Sequence, residues 1–426
     1  MERLRYIEAS PASVIEPDWI RHGTPAFRRT NLALFAAGFA TFGLLYCVQP
    51  LMPEFASDYH VSAATSALSL SLTTGVLAVA MLFAGAVSDA LGRKSVMIVS
   101  LLLSAVLVLI SARMPNWTAL LVVRTLLGLT LSGLPAVAMT YLSEEMHPES
   151  IGLGMGLYIS GSAVGGMGGR LITGVLADFF GWRFGMSVVG VIGLICGLIF
   201  WRALPPTRNF IAQPLRARAL FDRFTRMFRD PGLPWLFLEG FLLLGAFVTV
   251  YNYLGYRLLA PPYSLSQTVV GLIFGIYLIG TFSSAWMGSL AGRLGRRKVL
   301  WTAFALMLAG IGLTMMSSLW LIMLGIVAIT FGFFGGHSIV SSWVGRRAGN
   351  AKAQASSMYL FSYYMGSSIA GASGGLFYAA AGWNGVGAFV GLLVLIGLLV
   401  AWKLYRLQPL GNVATPPTPM RQGAMP

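Results

Sequence analysis

The sequence contains little charge and little cysteine. Only 10% of its 426 residues are charged, whereas soluble domains carry about 25% charged residues, which argues against a soluble fold. The two cysteines, Cys47 and Cys196, lie in apolar stretches and form neither a disulfide framework nor a zinc-binding pattern. We expect both to be small apolar side chains in packed helices, and we predict no metal and no cofactor.

Motifs for enzyme chemistry are also missing from the sequence. There is no H-E-x2-H motif and no G-x4-G-K-[ST] phosphate loop, because Gly92-Arg93-Lys94-Ser95 lacks the required spacing. The run Gly152-x-Gly154-x-Gly156 opens an apolar stretch and follows no strand, which argues against a dinucleotide site. An integral membrane enzyme is therefore a distant alternative, and ATP is not expected to be the energy source.

Apolar residues are abundant, at 56% of the chain, and glycine contributes 51 residues. Twelve membrane helices of about 20 residues need roughly 240 residues, which this fraction supplies, and small residues let helices approach closely in lipid. Turns and charges separate twelve apolar spans: 31–51, 64–87, 95–112, 118–141, 152–177, 183–203, 235–257, 267–290, 298–316, 319–343, 354–380 and 384–405. The sequence predicts an all-α membrane protein with twelve transmembrane helices.

The spans form two groups of six. We predict a cytoplasmic N-tail (1–30), a six-helix bundle (31–203), a basic cytoplasmic linker (204–234), a second six-helix bundle (235–405) and a disordered cytoplasmic C-tail (406–426). The first 30 residues lack the order of a signal peptide, so the first span is expected to be retained.

Basic residues are unevenly distributed between the two sides of the spans. On the side of the N-terminus lie 24 of the 29 basic residues, which by the positive-inside rule puts both termini in the cytoplasm. The net charge of +15 then reflects the orientation of the chain in the membrane and an attraction of its basic side to anionic lipid. No nucleic-acid partner and no obligatory protein partner are expected.

The two halves resemble each other at matching positions. Gly85-Ala-Val-Ser-Asp89-Ala-Leu-Gly92-Arg93-Lys94 corresponds to a run that starts at Gly288, an offset of 203 residues, with Gly292 in place of the aspartate. The glycine-rich stretch from Gly161 corresponds to that from Gly366, and Gly181-Trp182 to Gly382-Trp383. A common offset near half of the chain indicates a duplicated six-helix unit with a pseudo-two-fold repeat.

Several of these motifs resemble those of the major facilitator superfamily, over about residues 30–405. The loop after span 2 matches the family signature G-x3-D-x2-G-R-K, and Arg124-Thr-Leu-Leu-Gly128 in span 4 resembles a motif that the family associates with proton-coupled antiporters. In span 5, part of the antiporter motif G-x3-G-P-x2-G-G is present: Gly161, Gly165 and Gly169 fit, and Gly166 replaces the proline. The runs 139–147, 251–257 and 336–338 look like a branch of bacterial inner-membrane efflux proteins.

The resemblance implies a two-bundle transporter that works by alternating access. It favours proton-coupled efflux of a small organic, amphipathic compound across the bacterial inner membrane, with protons as the second transported species. Proton-coupled uptake of a sugar or an organic acid remains the alternative, because the proline of the antiporter motif is missing at Gly166.

A cytoplasmic latch is predicted in the loop after span 2. The loop places Asp89 between Gly85 and Gly92, and Arg93 and Lys94 directly follow Gly92. The carboxylate and the guanidinium can each bind an oppositely charged group. Candidate partners at the end of span 4 are Glu144 and Glu145. In the family this cluster locks the inner gate in the outward-facing state; the alternative is a solvated basic loop that serves topology only.

Three ionisable residues are candidates for proton coupling: Arg124, Glu239 and Glu54. A charge near the centre of the bilayer costs about 2.5–3.5 kcal/mol, so such residues are functional suspects. The alternatives are that Arg124 binds helix carbonyls and that Glu239 reaches the cytoplasmic interface. By depth, Glu54 or Asp58 is the expected partner of Arg124 and Arg170.

Substrate-cavity candidates follow from the resemblance, since the first and fourth helices of each half line the cavity in the family. They are Gln49, Arg124, Tyr251, Asn252, His337, Ser338 and Ser342. The alternative for Tyr251 is an aromatic residue of the interface belt, and the alternative for His337 is a hydrogen-bonded packing residue. The glycines of span 5 (Gly161, Gly165, Gly166 and Gly169) and the prolines Pro50, Pro53 and Pro135 are predicted to bend helices or let them slide.

Overall fold

The computed structural model describes residues 19–210, 225 and 227–407. Within these ranges the chain is helical, and its only β-type pairing is an isolated bridge between Ile20 and Met146. The helices are α1 (Pro25–Tyr46), α2 (Met52–Asp58), α3 (Ala63–Leu91), α4 (Arg93–Ser111), α5 (Trp117–Leu131), α6 (Pro135–Glu145), α7 (Pro148–Phe180), α8 (Trp182–Ala203), α9 (Leu233–Leu259), α10 (Gln267–Ile273), α11 (Tyr277–Leu294), α12 (Arg296–Thr314), α13 (Leu319–Arg347) and α14 (Lys352–Arg406). The predicted all-α class is confirmed.

Ten helical segments in the described part of the chain are long and apolar enough to cross a membrane. The 33-residue helix α7 is not among those ten. The last of the ten belongs to α14, whose 55 residues include a non-helical backbone at Ala381 and Gly382 that separates two helical halves. These lengths accommodate twelve spans, and the count of twelve stays a prediction.

Two predicted spans are interrupted at prolines. In span 1, α1 ends at Tyr46, a 3-10 turn occupies Gln49–Leu51 and α2 begins at Met52. In span 4, α5 ends at Leu131 and α6 begins at Pro135. Proline lacks the N–H that would continue a helix, so a new helix starts at or near it.

By packing, the chain divides into two compact units. Unit 1 comprises Met1–Arg216 and Leu254–Gly275, and unit 2 comprises Ala217–Tyr253 and Ile276–Pro426. The predicted bundles follow the repeat in the sequence, whereas the packing units place the C-terminal end of α9 together with α10 in unit 1. Side chains of this segment bind the backbone after α1 there: the Tyr256 hydroxyl donates to the Met52 carbonyl at 2.7 Å, and Gln267 donates to the Pro50 carbonyl at 2.5 Å.

Equivalent glycines of the repeat adopt the same kind of backbone. Gly92 and Gly295 have φ of 91° and 95°, and each separates two consecutive helices. Gly181 and Gly382 also have positive φ, at 80° and 55°. Glycine adopts a positive φ without strain, whereas other residues are strained there, so the tight turns of both halves depend on glycine at these positions.

Glycines also bring α7 and α14 against the first helix of each half. A side chain at Gly161 would collide with the Phe35 carbonyl of α1, and one at Gly366 would collide with the Phe241 carbonyl of α9. The helix α7 runs unbroken through its glycines. In this structure the glycine run therefore provides close packing, as is usual where helices pack in lipid.

Candidate functional site

The predicted latch residues meet in unit 1. The Arg93 guanidinium donates to both oxygens of Glu144, from Nε at 3.0 Å and from Nη2 at 2.7 Å. Its Nη1 forms an ion pair with Asp89 and donates to the Ser88 hydroxyl at 3.1 Å. Arg93 is only 6% exposed, so this two-pronged pairing with Glu144 is largely shielded from water, where it is strongest. The predicted pairing of Arg93 with an acid at the end of span 4 is therefore present in the structure.

The second candidate partner, Glu145, has a different role. Its buried carboxylate accepts hydrogen bonds from the backbone N–H groups of Arg208 and Asn209, at 2.9 and 3.0 Å. Lys94 donates to the Leu204 carbonyl at 2.5 Å. Glu145 and Lys94 thus fix the chain that follows α8, while Glu144 binds the latch arginine.

Arg124 is fully buried in α5 and binds backbone carbonyls. It donates to the Ser69 carbonyl of α3 at 2.9 Å, to the Leu45 carbonyl at 2.9 Å and to the Leu44 carbonyl at 3.4 Å. Leu44 and Leu45 lie in the last turn of α1, whose carbonyls lose their helical partners where the helix stops. The positive guanidinium also stabilises the negative end of the α1 dipole.

Arg170 lies in α7 beside the same interruption of α1. Its Nε donates to Gln49 Oε1 at 2.6 Å, and its Nη1 donates to the Gly166 carbonyl at 2.6 Å. The guanidinium is 4.0 Å from the ring centroid of Tyr46 and 5.3 Å from that of Phe274. From the sequence, Arg170 was expected only as a partner of Glu54 or Asp58. Its contact with the cavity candidate Gln49 depends on how α7 packs against the end of α1.

The pairing of Arg124 with Glu54 or Asp58 that depth predicted is wrong. Asp58 accepts hydrogen bonds from Trp182 at 2.7 Å and from Arg183 at 2.8 Å, and Glu54 is partly exposed in α2. Arg124 binds carbonyls instead of either acid. Depth along a helix was estimated from residue number, but the direction in which a side chain points depends on helix rotation, which the span ends do not give.

Glu239 is buried in α9 with 0% exposure. Neither of its carboxylate oxygens has a hydrogen-bond partner in the described structure. This burial does not match the alternative, in which the Glu239 side chain reaches the cytoplasmic interface. An unpartnered buried carboxyl group is rare, because burial of a polar group without a hydrogen bond is costly, and such groups often serve a function.

His337 and Tyr251 form separate hydrogen bonds in unit 2. His337 Nδ1 lies 2.8 Å from the Tyr359 hydroxyl, and the Tyr251 hydroxyl lies 2.8 Å from Thr330 Oγ1. Asn252 follows Tyr251 in α9 and is 1% exposed. Tyr359 was not predicted from the sequence, where its one available signal was a tyrosine within an apolar span.

The two serine candidates lie further along α13. Ser338 donates to the Ser284 carbonyl of α11 at 3.0 Å, whereas Ser342 accepts a hydrogen bond from Arg296 Nε at 3.0 Å. Ser342 therefore lies next to the loop that begins α12, and it is not grouped with His337. The cavity candidates divide between the units, with Gln49 and Arg124 in unit 1.

Aromatic rings surround His337 and Tyr251. Phe247 and Phe333 stack with centroids 3.8 Å apart, and Tyr251 and Tyr277 meet edge to face at 5.1 Å. The His337 ring is 4.7 Å from that of Tyr363. These rings come from α9, α11, α13 and α14 and form one aromatic cluster within unit 2.

An all-helical fold with apolar spans, duplicated turns and buried ionisable side chains defines a multi-pass membrane transporter. The family model of the Major Facilitator Superfamily matches residues 34–264 and 253–424, so the chain belongs to that superfamily. The predicted family is confirmed, and it is a family of transporters, not of enzymes.

Two curated relatives cover nearly the whole chain. The inner membrane transport protein YnfM of Escherichia coli (strain K12) is 50% identical over 95% of this chain and 99% of its own length. The uncharacterized MFS-type transporter YybF of Bacillus subtilis (strain 168) is 47% identical over 91% of this chain and 96% of its own length. The predicted resemblance to a branch of bacterial inner-membrane transporters is thereby confirmed.

Solved structures share the fold at low sequence identity. The nucleoside transporter NupG superposes with a TM-score of 0.74 at 16% identity, covering 88% of this chain and 100% of that chain. A bacterial homolog of the human lysosomal transporter Spinster, in an inward-facing conformation, gives a TM-score of 0.72 at 16% identity, covering 90% of this chain and 96% of that chain.

Proposed function

We propose that this protein is a proton-coupled secondary transporter that exports a small organic, amphipathic compound by alternating access. The observation that carries the proposal is Glu239, a buried carboxyl group whose oxygens have no hydrogen-bond partner in the described part of the chain. Proton coupling requires a group that exchanges a proton with water in one state of the cycle and is closed off in another. Glu239 meets the second condition in this structure.

Arg124 has a mechanical role in this proposal. Its guanidinium holds the carbonyls at the end of α1 against α3, so the interrupted helix and α5 move together. Interrupted helices with liganded ends lie near the binding sites of many transporters. The motif of Arg124 and Gly128 also supports export, by resemblance to proton-coupled antiporters.

The aromatic cluster supports an organic substrate with apolar surface. Tyr277, Phe334 and Tyr363 are only partly buried, and aromatic faces bind apolar and planar groups over a large area at a small entropic cost. Flanking hydroxyl groups, such as those of Tyr251 and Thr330, suit the polar end of an amphipathic compound.

The proposed location is the bacterial inner membrane, with both termini in the cytoplasm. The name of the relative YnfM supports the membrane assignment, and the 24 of 29 basic residues on one side support the orientation. The species that this protein is proposed to transport are the organic substrate and protons. Anionic lipid of the membrane attracts the basic face of the protein.

Uptake of an organic acid is the second candidate. The buried Arg170 of unit 1 supports it, because a guanidinium group binds carboxylates strongly. Arg170 also contacts Gln49, a polar side chain at the interruption of α1. This candidate differs from export in the sign of coupling, since substrate and proton would move in the same direction.

A compound screen on everted membrane vesicles tests the proposal. An acidic interior is imposed, and a pH-sensitive dye reports proton efflux when a compound is added. Export in exchange for protons predicts that some amphipathic compounds collapse the gradient in vesicles with the protein and not in vesicles without it. Collapse by no compound would contradict the proposal, and solute uptake into whole cells driven by an inward proton gradient would favour the second candidate.

A further inference from the structure

A hydrogen-bonded pair of side chains lies next to Glu239 in unit 2. His337 Nδ1 of α13 and Tyr359 Oη of α14 are 2.8 Å apart. The Tyr359 ring packs against α9 at Gly240, the residue after Glu239, since a Cβ at Gly240 would lie 2.6 Å from Tyr359 Cε2. Groups that carry exchangeable protons therefore follow one another across three helices.

The three side chains differ in their access to the surface. His337 is partly exposed, Tyr359 is 2% exposed and Glu239 is 0% exposed. The imidazole is held between aromatic rings, at 4.7 Å from Tyr363 and 6.3 Å from Phe333. The order from His337 through Tyr359 to Glu239 thus leads from the partly exposed surface of unit 2 to its buried acid.

We propose that His337 and Tyr359 are relay residues that carry the proton to and from Glu239. The inference rests on the proposed function, in which Glu239 is the coupling acid. Imidazole accepts a proton at one ring nitrogen and gives one up from the other. A hydroxyl group both donates and accepts a hydrogen bond, so Tyr359 passes a proton on without a net change in its own charge.

The relay step balances in protons and charge. The His337 imidazolium gives its Nδ1 proton to Tyr359 Oη while the hydroxyl proton of Tyr359 passes to a carboxylate oxygen of Glu239. Tyr359 ends neutral as it began, and the opposite charges of His337 and Glu239 both disappear. The last transfer takes place when rotation of the Glu239 side chain brings an oxygen within hydrogen-bond distance of Tyr359 Oη, and the reverse sequence releases the proton.

The test uses the purified full-length protein in lipid nanodiscs and needs no transported compound. Infrared difference spectra after a pH jump follow the carbonyl band of a protonated carboxylic acid, and the part of that band missing in Glu239→Gln belongs to Glu239. Loss of a positioned proton-transfer group costs about 100-fold or more in rate. The relay predicts that Tyr359→Phe and His337→Gln each slow the formation of this band by about that factor.

Tyr364→Phe is the matched control, because it removes the hydroxyl of a buried tyrosine from the same helix five residues further on. It should keep the wild-type rate. The thermal unfolding midpoint of each variant is measured alongside, since a merely structural role would lower that midpoint and leave the rate unchanged.

The outcomes separate the relay from the proposed function. A wild-type rate in either Tyr359→Phe or His337→Gln overturns the relay and leaves Glu239 as the coupling acid. A spectrum in which Glu239→Gln removes no titrating band overturns Glu239 as the coupling acid, and with it the proposed function on which the relay rests.

Discussion

The Nη2 of Arg124 donates to the carbonyl oxygen of Leu45 at 2.9 Å, which joins α5 to the last turn of α1. The same guanidinium reaches the Ser69 carbonyl of α3 through Nε at 2.9 Å. One side chain therefore connects three helices at the place where the first span is interrupted, next to the Gln49 of the 3-10 turn. This connection gives Arg124 a role that is independent of any direct ion pair with an acid.

Arg124→Ala is expected to abolish coupled transport in a protein that still reaches the membrane. The substitution removes the guanidinium from the Leu44, Leu45 and Ser69 carbonyls, of which that of Ser69 retains the Thr73 hydroxyl as a donor. A buried group left unsatisfied costs about 1–3 kcal/mol. Transport is measured in everted vesicles and the amount of membrane protein by immunoblot. Arg124→Lys, which keeps the charge but loses the forked geometry, should be impaired as well; unimpaired transport by Arg124→Ala would remove Arg124 from the mechanism.

Asp89→Asn is expected to shift the population toward inward-facing forms. It removes one of the two acids that bind Arg93, and an exposed or partly exposed ion pair contributes about 0.2–1 kcal/mol. The shift is therefore a few-fold and is measured by the accessibility of cysteines introduced on the periplasmic side. Glu149→Gln, at an exposed carboxylate, is the control and should cause no shift; equal accessibility in Asp89→Asn and wild type would contradict the latch.

Gly165→Ala should destabilise the protein by about 1–3 kcal/mol, because a Cβ there would overlap the Phe39 carbonyl of α1. Gly156→Ala in the same helix is the matched control, since a Cβ at that position meets nothing within 4 Å. Alanine favours helix over glycine by about 1 kcal/mol, so the control should be neutral or stabilising. Thermal unfolding in detergent measures both, and similar melting temperatures for the two variants would contradict close packing of α1 on α7.

Arg170→Gln distinguishes the two candidate substrates. If the substrate is an organic anion, loss of the guanidinium next to Gln49 should weaken its transport by about tenfold or more, since a hydrogen bond to a charged group contributes about 1.5–3 kcal/mol. If the substrate is neutral or cationic, the apparent KM should change little. Competition by a series of carboxylic acids and their amides provides the measurement.

The sequence allowed the class, the family and the latch pairing to be predicted. Twelve apolar spans and their offset repeat define a duplicated helical fold, and the acids at the end of span 4 were the available partners for Arg93. These features depend on order along the chain and on depth, which sequence spacing gives directly.

The partners of Arg124 and the surroundings of Glu239 could not be predicted. The Leu44 and Leu45 carbonyls that Arg124 binds become available only because α1 stops at Tyr46. Tyr359 meets His337 because α13 and α14 are rotated toward each other. Rotation about the helix axis is determined by packing of the whole unit, and residue number gives only the level of a side chain.

If Glu239 carries the coupled proton, two carboxylate variants should behave differently in everted vesicles. With a compound that collapses the proton gradient through the wild-type protein, Glu239→Gln should abolish the collapse while Glu149→Gln, at an exposed site, retains it. Exchange of labelled for unlabelled compound, which needs no net proton movement, should persist in Glu239→Gln. Gradient collapse at the wild-type rate in Glu239→Gln would contradict the account.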